Sequence, residues 1–257
     1  MPEMKLKSKS EINIMREANL IVNQVLGELR EMVAPGVTTL DLDNRARQLT
    51  SKMGATSAFL GYPAPSPGVE PFPGVICASL NEAIVHGIPN EVPLKEGDIL
   101  SVDYGCEFNG FFGDSAVTIP VGKISDKTRS LLDVTEKSLA AGIEQCQSGK
   151  RIGDISNAIQ AVIESAGFGV VREFVGHGIG SDMHEPPHVP NFGKADQGQK
   201  LKPGLVIAIE PMVTIGSFET KLLDDGWTAV TKDGSLSAHF EHSVAITEDG
   251  PWVLSRA

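Results

Sequence analysis

Cysteine is scarce in this chain: three residues in 257, at positions 77, 106 and 146, with no C-x-x-C spacing. An odd count cannot pair fully within the chain, so a reducing cytoplasm fits better than secretion. No apolar run approaches the roughly 18 residues of a membrane span, and the start, MPEMKLKSKSEI, lacks the apolar segment of a secretory signal. Positive charge is in deficit. With 22 Lys and Arg against 33 Asp and Glu, the net charge of −11 argues against general nucleic-acid binding. No G-x-S-x-G nucleophile elbow and no G-x-x-x-x-G-K-[ST] phosphate loop occur, and Gly176-x-Gly178-x-Gly180 lacks dinucleotide-binding spacing. What remains is a soluble chain with 41% hydrophobic residues, enough for a sizeable core.

The most informative stretch is ILSVDYGCEFNGFFGDSAVTI, residues 99–119. Two β-rich runs flank Asn109-Gly110, a pair that tolerates positive φ and predicts a hairpin turn. That turn sets Phe108 against Phe111 and Gly105 against Asp114, so alternation places Asp103 and Asp114 on one face. Two carboxylates among apolar neighbours repel each other unless a cation lies between them; two solvated acids on an exposed hairpin is the alternative.

Along the chain, Ser10 with Asn13 marks a helix start, and apolar spacing carries the helix to about Val33, before Pro35-Gly36. Thr39 is read as the cap of a second helix ending at Gly54. Residues 61–74 contain five prolines and form a stiff irregular loop. VICASL at 75–80 reads as a strand. Helices follow over about Ser125–Cys146 and Asp154–Ala166, then VVREF, the loop GHGIGSDMHEPPHVPNFG, the strand LVIAIEPM and a last ribbon from Trp227 through FEHSVAI.

Several pieces occur twice. GVTTLDLDN at 36–44 lies over GKRIGDISN at 149–157, and the same offset of 113 (149 minus 36) places Gly54 on Gly167. LKEGDILSVD at 94–103 lies over LKPGLVIAIE at 201–210, which puts Asp103 on Glu210. DSAVTI at 114–119 lies over EHSVAI at 241–246, which puts Asp114 on Glu241. Their common order predicts a duplicated unit whose halves meet across a pseudo-twofold axis. Four acids then converge on the seam. A glycine-flanked His177 supplies a nitrogen, its three glycines letting backbone come close to a ligand. Oxygen donors with one imidazole suit Mn, Fe or Co, and Zn at some affinity, and the natural chemistry is hydrolysis.

The motifs NEAIVHGIP (81–89), VDYGCEFNGFFGDSA (102–116), GHGIG (176–180), MHEPP (183–187), IEPM (209–212) and DGWTAVTKDGSLSAHFEHSVAIT (225–247) stand in an order that resembles the type I methionine aminopeptidases of bacteria and organelles. The resemblance implies an α+β pita-bread fold, with duplicated α/β halves around a pseudo-twofold axis and a central antiparallel sheet backed by helices. Residues 1–10 are then a short N-terminal tail, and 11–257 one catalytic domain with halves of about 11–120 and 125–250. It implies two divalent metal ions (Co, Mn, Fe or Zn) held by Asp103, Asp114, His177, Glu210 and Glu241, with Asp114 and Glu241 bridging. It implies removal of the initiator methionine from nascent chains whose second residue is small, through attack of a metal-bridging hydroxide on the peptide carbonyl. Glu210 is the candidate proton shuttle, His184 the donor to the developing oxyanion, and His86 a substrate contact. The methionine pocket is implied to comprise Phe59, Tyr62, Phe72, Cys77, His86, Met183 and Trp227, with His184 at the substrate as well.

The chain departs from the better-known bacterial pattern at Phe59, Phe72 and Met183, where cysteine, tyrosine and phenylalanine are common, at His239, where glutamine is usual, and in a longer 61–74 loop. Expected partners are nascent N-termini and, transiently, the ribosome, aided by Lys5, Lys7 and Lys9; a cytoplasmic monomer is expected. The rivals are a proline-specific pita-bread hydrolase, which usually carries a further N-terminal domain, and a non-catalytic pita-bread module, which would have lost ligands.

Overall fold

The computed structural model describes residues 4–257. Four helices carry the outer layer: α1 (Lys9–Met32), α2 (Thr39–Lys52), α3 (Asp126–Glu144) and α4 (Ile152–Ser165). The cap of α1 is Ser8, two residues before the expected Ser10. Ser8 accepts from the Glu11 N–H while the Glu11 carboxylate accepts from the Ser8 N–H, a reciprocal box that Asn13 cannot close as well. Thr38 with Asp41 does the same for α2, one residue ahead of Thr39. Ser125 caps α3 as expected, and α4 begins at Ile152 because the Asp154 carboxylate reaches back to the Arg151 N–H. On α4, Ile152, Ile155, Ile159 and Ile163 are all buried. At about 1.5–3 kcal/mol for each side chain removed from water, that stripe outweighs a cap contribution of about 1 kcal/mol. Packing therefore decides this helix.

The strands Ile99–Phe108 and Phe111–Pro120 form the hairpin, with Phe108 opposite Phe111, Gly105 opposite Asp114 and Asp103 opposite Ala116. Asn109 and Gly110 take φ of 52° and 84°, both in the left-handed region the turn requires. Cys77–Leu80 pairs on the other side of Ile99–Phe108 and sets Cys77 opposite Asp103. The second half holds a five-stranded sheet in the spatial order Gly250–Val253, His242–Thr247, Val206–Ile209, Gly176–Gly178, Glu185–Val189. The expected VVREF strand shrinks to Gly169–Val170, and the ribbon after Trp227 divides into Ala229–Thr231, Ser237–His239 and His242–Thr247.

The halves are stitched along one seam. The Glu241 N–H donates to Ala116 O (3.0 Å), Ser115 Oγ to Glu241 O (2.6 Å), and Ser243 Oγ to Asp114 O (2.9 Å). Asp114 faces Ser243 as Glu241 faces Ala116, which is the exchange a pseudo-twofold demands. The repeat is not perfect. Ala116 pairs with Asp103, but its counterpart Ser243 pairs with Ala208 rather than Glu210, a slip of two residues. An even slip leaves every side chain on its own face, so the acid stays inside.

Candidate active site

Asp103, Asp114, Glu210 and Glu241 converge at the seam as the duplication predicts, and His177 joins them. Asp114, His177 and Glu241 each offer one donor atom within 4.8 Å of the others. His177 Nε2 lies 3.8 Å from Asp114 Oδ2 and 3.6 Å from Glu210 Oε1. Its Nδ1 lies 2.9 Å from Gly178 O, so Nδ1 carries the proton and donates, and the Nε2 lone pair faces the carboxylates. Burial and the neighbouring His184 lower the imidazole to about 3, so it meets the acids neutral. Burial first, then mutual repulsion, pushes all four carboxyls well above the usual carboxylate range. Asp103 Oδ1, Asp114 Oδ1 and Glu241 Oε1 are buried without hydrogen-bond partners. Buried lone pairs aimed at one another are costly unless a cation takes them. The residues present therefore fit divalent metal.

The glycines around His177 do a different job from the one expected. A Cβ at Gly176 would strike Ala208 O, at Gly178 Pro186 O, and at Gly180 the Lys7 side chain. They admit neighbouring strands and a lysine rather than a ligand. Lys7 itself is buried, with its ammonium 2.6 Å from Glu185 Oε2, so it is not part of an exposed ribosome-facing cluster.

A cavity of about 910 Å³ opens on the acids. Phe59, Tyr62, Phe72, Cys77, His86, Met183, His184 and Trp227 all line it, together with Asp103, Asp114, His177, Glu210 and Glu241. Phe59, Phe72, Cys77, Met183 and Trp227 form an apolar cluster separate from the main core. The Phe72 and Trp227 rings meet edge to face at 5.2 Å, and Trp227 Nε1 donates to Glu70 O (3.0 Å), which pins the proline-rich loop over the cavity. His86 takes φ 59° and rests edge-on against Phe174 at 5.5 Å, and burial lowers it to about 4. Tyr62 Oη lies 2.8 Å from His184 Nδ1. With the phenol donating, the proton of His184 sits on Nε2. Tyr62→Phe removes this bond, worth about 0.5–1.5 kcal/mol, and is expected to slow turnover roughly two- to tenfold. Steady-state kinetics beside a Mn²⁺ titration checks this, because ion affinity is expected to stay at the parent value.

Some wall residues were not anticipated. Phe174, Lys221 and Leu222 line the same cavity, and His188 stands opposite His177 in the strand register. Phe174 carried only its aromatic character as a signal, and Lys221 and Leu222 carried none. His239 is buried with Nε2 unpartnered, 3.9 Å from Glu210 Oε2.

Known proteins place this geometry. The chain is 49% identical over 250 residues to methionine aminopeptidase 1 of Bacillus subtilis, covering 97% of this chain and 98% of that one. It is 48% identical over 250 residues to the methionine aminopeptidase of Clostridium perfringens, covering 97% and 98%. The crystal structure of methionine aminopeptidase from Thermotoga maritima superposes with a TM-score of 0.95 at 41% identity, covering 99% of this chain and all of that one. A prolidase from Pyrococcus furiosus shares the fold alone, with a TM-score of 0.77 at 20% identity, over 98% of this chain and 65% of that one. The fold is thus the α+β pita-bread arrangement with antiparallel sheets and backing helices. The profile of metallopeptidase family M24 matches residues 13–248, and the chain belongs to that family.

Proposed function

We propose that this protein is a methionyl aminopeptidase that removes N-terminal methionine from peptides and nascent chains whose second residue is small. One observation carries the reading: a single cavity joins a buried five-donor cluster to an apolar chamber walled by Phe59, Phe72, Cys77, Met183 and Trp227. The relatives named as methionine aminopeptidases support the same substrate.

Asp103, Asp114, His177, Glu210 and Glu241 would hold the divalent metal. Such ions lower the pKa of water and polarise a carbonyl. The apolar chamber takes the methionine side chain. The scissile carbonyl then faces His184, whose Nε2–H donates to its oxygen as charge develops there. Glu210, at the edge of the donor cluster, carries a proton from the attacking water to the departing amine. His86, held beside Phe174, orients the peptide from the opposite wall. The loop at 61–74 excludes bulk at the second residue.

The three cysteines are free and buried, which fits a reducing, cytoplasmic setting. Among the described residues no helix is long and apolar enough to cross a membrane.

The test is methionine release after chelation and after readdition of Mn²⁺. Met-Ala-, Met-Gly- and Met-Ser-starting peptides are expected to be cleaved only with ion present, and at least about tenfold faster than Met-Leu- or Met-Lys-starting ones. Equal rates across the set would sink the proposal. Comparable cleavage of Leu-Pro-starting peptides, whose first residue is not methionine, would transfer it to the prolidase branch.

A further inference from the structure

The N-terminal arm reaches the active site through a single buried ion pair. Lys7 Nζ lies 2.6 Å from Glu185 Oε2, with side-chain exposures of 4% and 1%. Glu185 divides its two oxygens. Oε2 takes the lysine, and Oε1 accepts from the Asp182 N–H and the Ser181 hydroxyl, both at 3.3 Å. One carboxylate thereby joins the arm to the turn that carries Met183 and His184. The arm is itself anchored: the Lys7 N–H donates to Gly204 O (2.7 Å), just ahead of the strand leading to Glu210. Lys5 adds an exposed contact to Asp182 at 2.5 Å. Gly180 has no room for a Cβ because the Lys7 stem occupies that space.

A buried ion pair is a weak device for stability, because two apolar side chains of similar volume often do as well or better. What it supplies is a fixed position, since both charges must stay matched. The turn fixed here carries His184, whose ring also packs at 4.3 Å from His177.

We infer that Lys7 is a positioning residue for catalysis: through Glu185 it holds the Ser181–Glu185 turn so that His184 and Met183 stand correctly over the substrate. The inference rests on the reading of His184 as the donor to the peptide carbonyl. His177 sits in the Gly176–Gly178 strand, which pairs with Glu185–Val189 on one edge and with Val206–Ile209 on the other, and the Val206–Ile209 edge holds it independently of the Ser181–Glu185 turn. Loosening the turn is therefore expected to disturb His184 and leave ion binding in place.

The test uses the full chain as Lys7→Met and as Lys7→Met/Glu185→Gln; the second leaves no charge buried alone and covers the case in which the first fails to fold. In the folded variant, kcat on a Met-Ala-Ser peptide is expected to fall tenfold or more with KM within about threefold of the parent. Mn²⁺ affinity by calorimetry is expected to stay within about twofold, because the donor cluster is untouched. Amide hydrogen exchange is expected to accelerate tenfold or more at Ser181–Glu185 and to remain unchanged at Ile207–Ile209. A purely structural pair would lower the melting temperature without this kcat–KM split. A kcat within twofold of the parent, or Mn²⁺ binding lost in step with kcat, overturns the inference. The exchange readout needs no substrate: a parent chain that released no methionine would refute the functional reading, while unchanged exchange at Ser181–Glu185 would refute the clamp.

Discussion

Alanine in place of Asp114 or Glu241 is expected to abolish measurable methionine release and to lower bound divalent metal below the parent's content. Both acids lie at the seam with an unpartnered buried oxygen, and with His177 they form the tightest donor group in the described chain. Removing one deletes a shared donor and leaves the other acids facing one another with less to hold the ions between them. Folding is expected to survive, because the seam itself is made by backbone and hydroxyl bonds of Ala116, Ser115 and Ser243, which alanine at either acid leaves intact. Metal content of the purified variants, measured beside their circular dichroism, decides it. A full complement of two ions in either variant would reject the bridging assignment.

The second large effect separates two histidines on neighbouring stretches. His177→Ala is expected to weaken Mn²⁺ binding and activity together, because its Nε2 is the one imidazole nitrogen facing Asp114 and Glu210 within 4 Å among the described histidines, apart from His239 on the far oxygen of Glu210. His184→Ala is expected to keep its ions and near-normal substrate affinity while losing turnover. Its Nδ1 is engaged by Tyr62, and a group whose bond strengthens only as charge develops shows in kcat more than in KM. Such a donor is worth about 2.7–4 kcal/mol, or roughly 10²–10³ in rate. Calorimetric Mn²⁺ titration of both variants, followed by turnover at saturating ion, tests the split. Recovery of His184→Ala to the parent rate in excess Mn²⁺ would make His184 a ligand.

Where local chemistry or internal repetition carried the information, the sequence was readable. Asn109-Gly110 specified its turn, and the turn specified the whole register down to Gly105 opposite Asp114. The four acids were readable because each lies at a matching place in two copies, although the two-residue slip in the second copy was not. Helix starts erred by one or two residues where a better box, Ser8 with Glu11 or Thr38 with Asp41, stood just upstream of the cap chosen. Lys7 was illegible for a different reason. Its partner is 178 residues away, and a lysine in KLKSK gives no local sign that it will be buried. The glycines at 176, 178 and 180 were recognised as places of close approach, but what approaches them comes from distant strands and the arm.

The stitched seam also makes assembly and competence one event. Neither copy of the repeat owns a complete donor set: Asp103 and Asp114 come from the first, and His177, Glu210 and Glu241 from the second. On the proposed assignment, the full donor set forms only once both copies have closed on each other. An ion held by that set would act as a clasp across the junction. At a free concentration 100 times its dissociation constant it adds about 2.7 kcal/mol against opening. That is a substantial share of the roughly 5–15 kcal/mol that keeps a typical domain folded. With the ion so held, removing metal is expected to lower the protein's stability as well as its activity, which thermal melting with and without chelator checks.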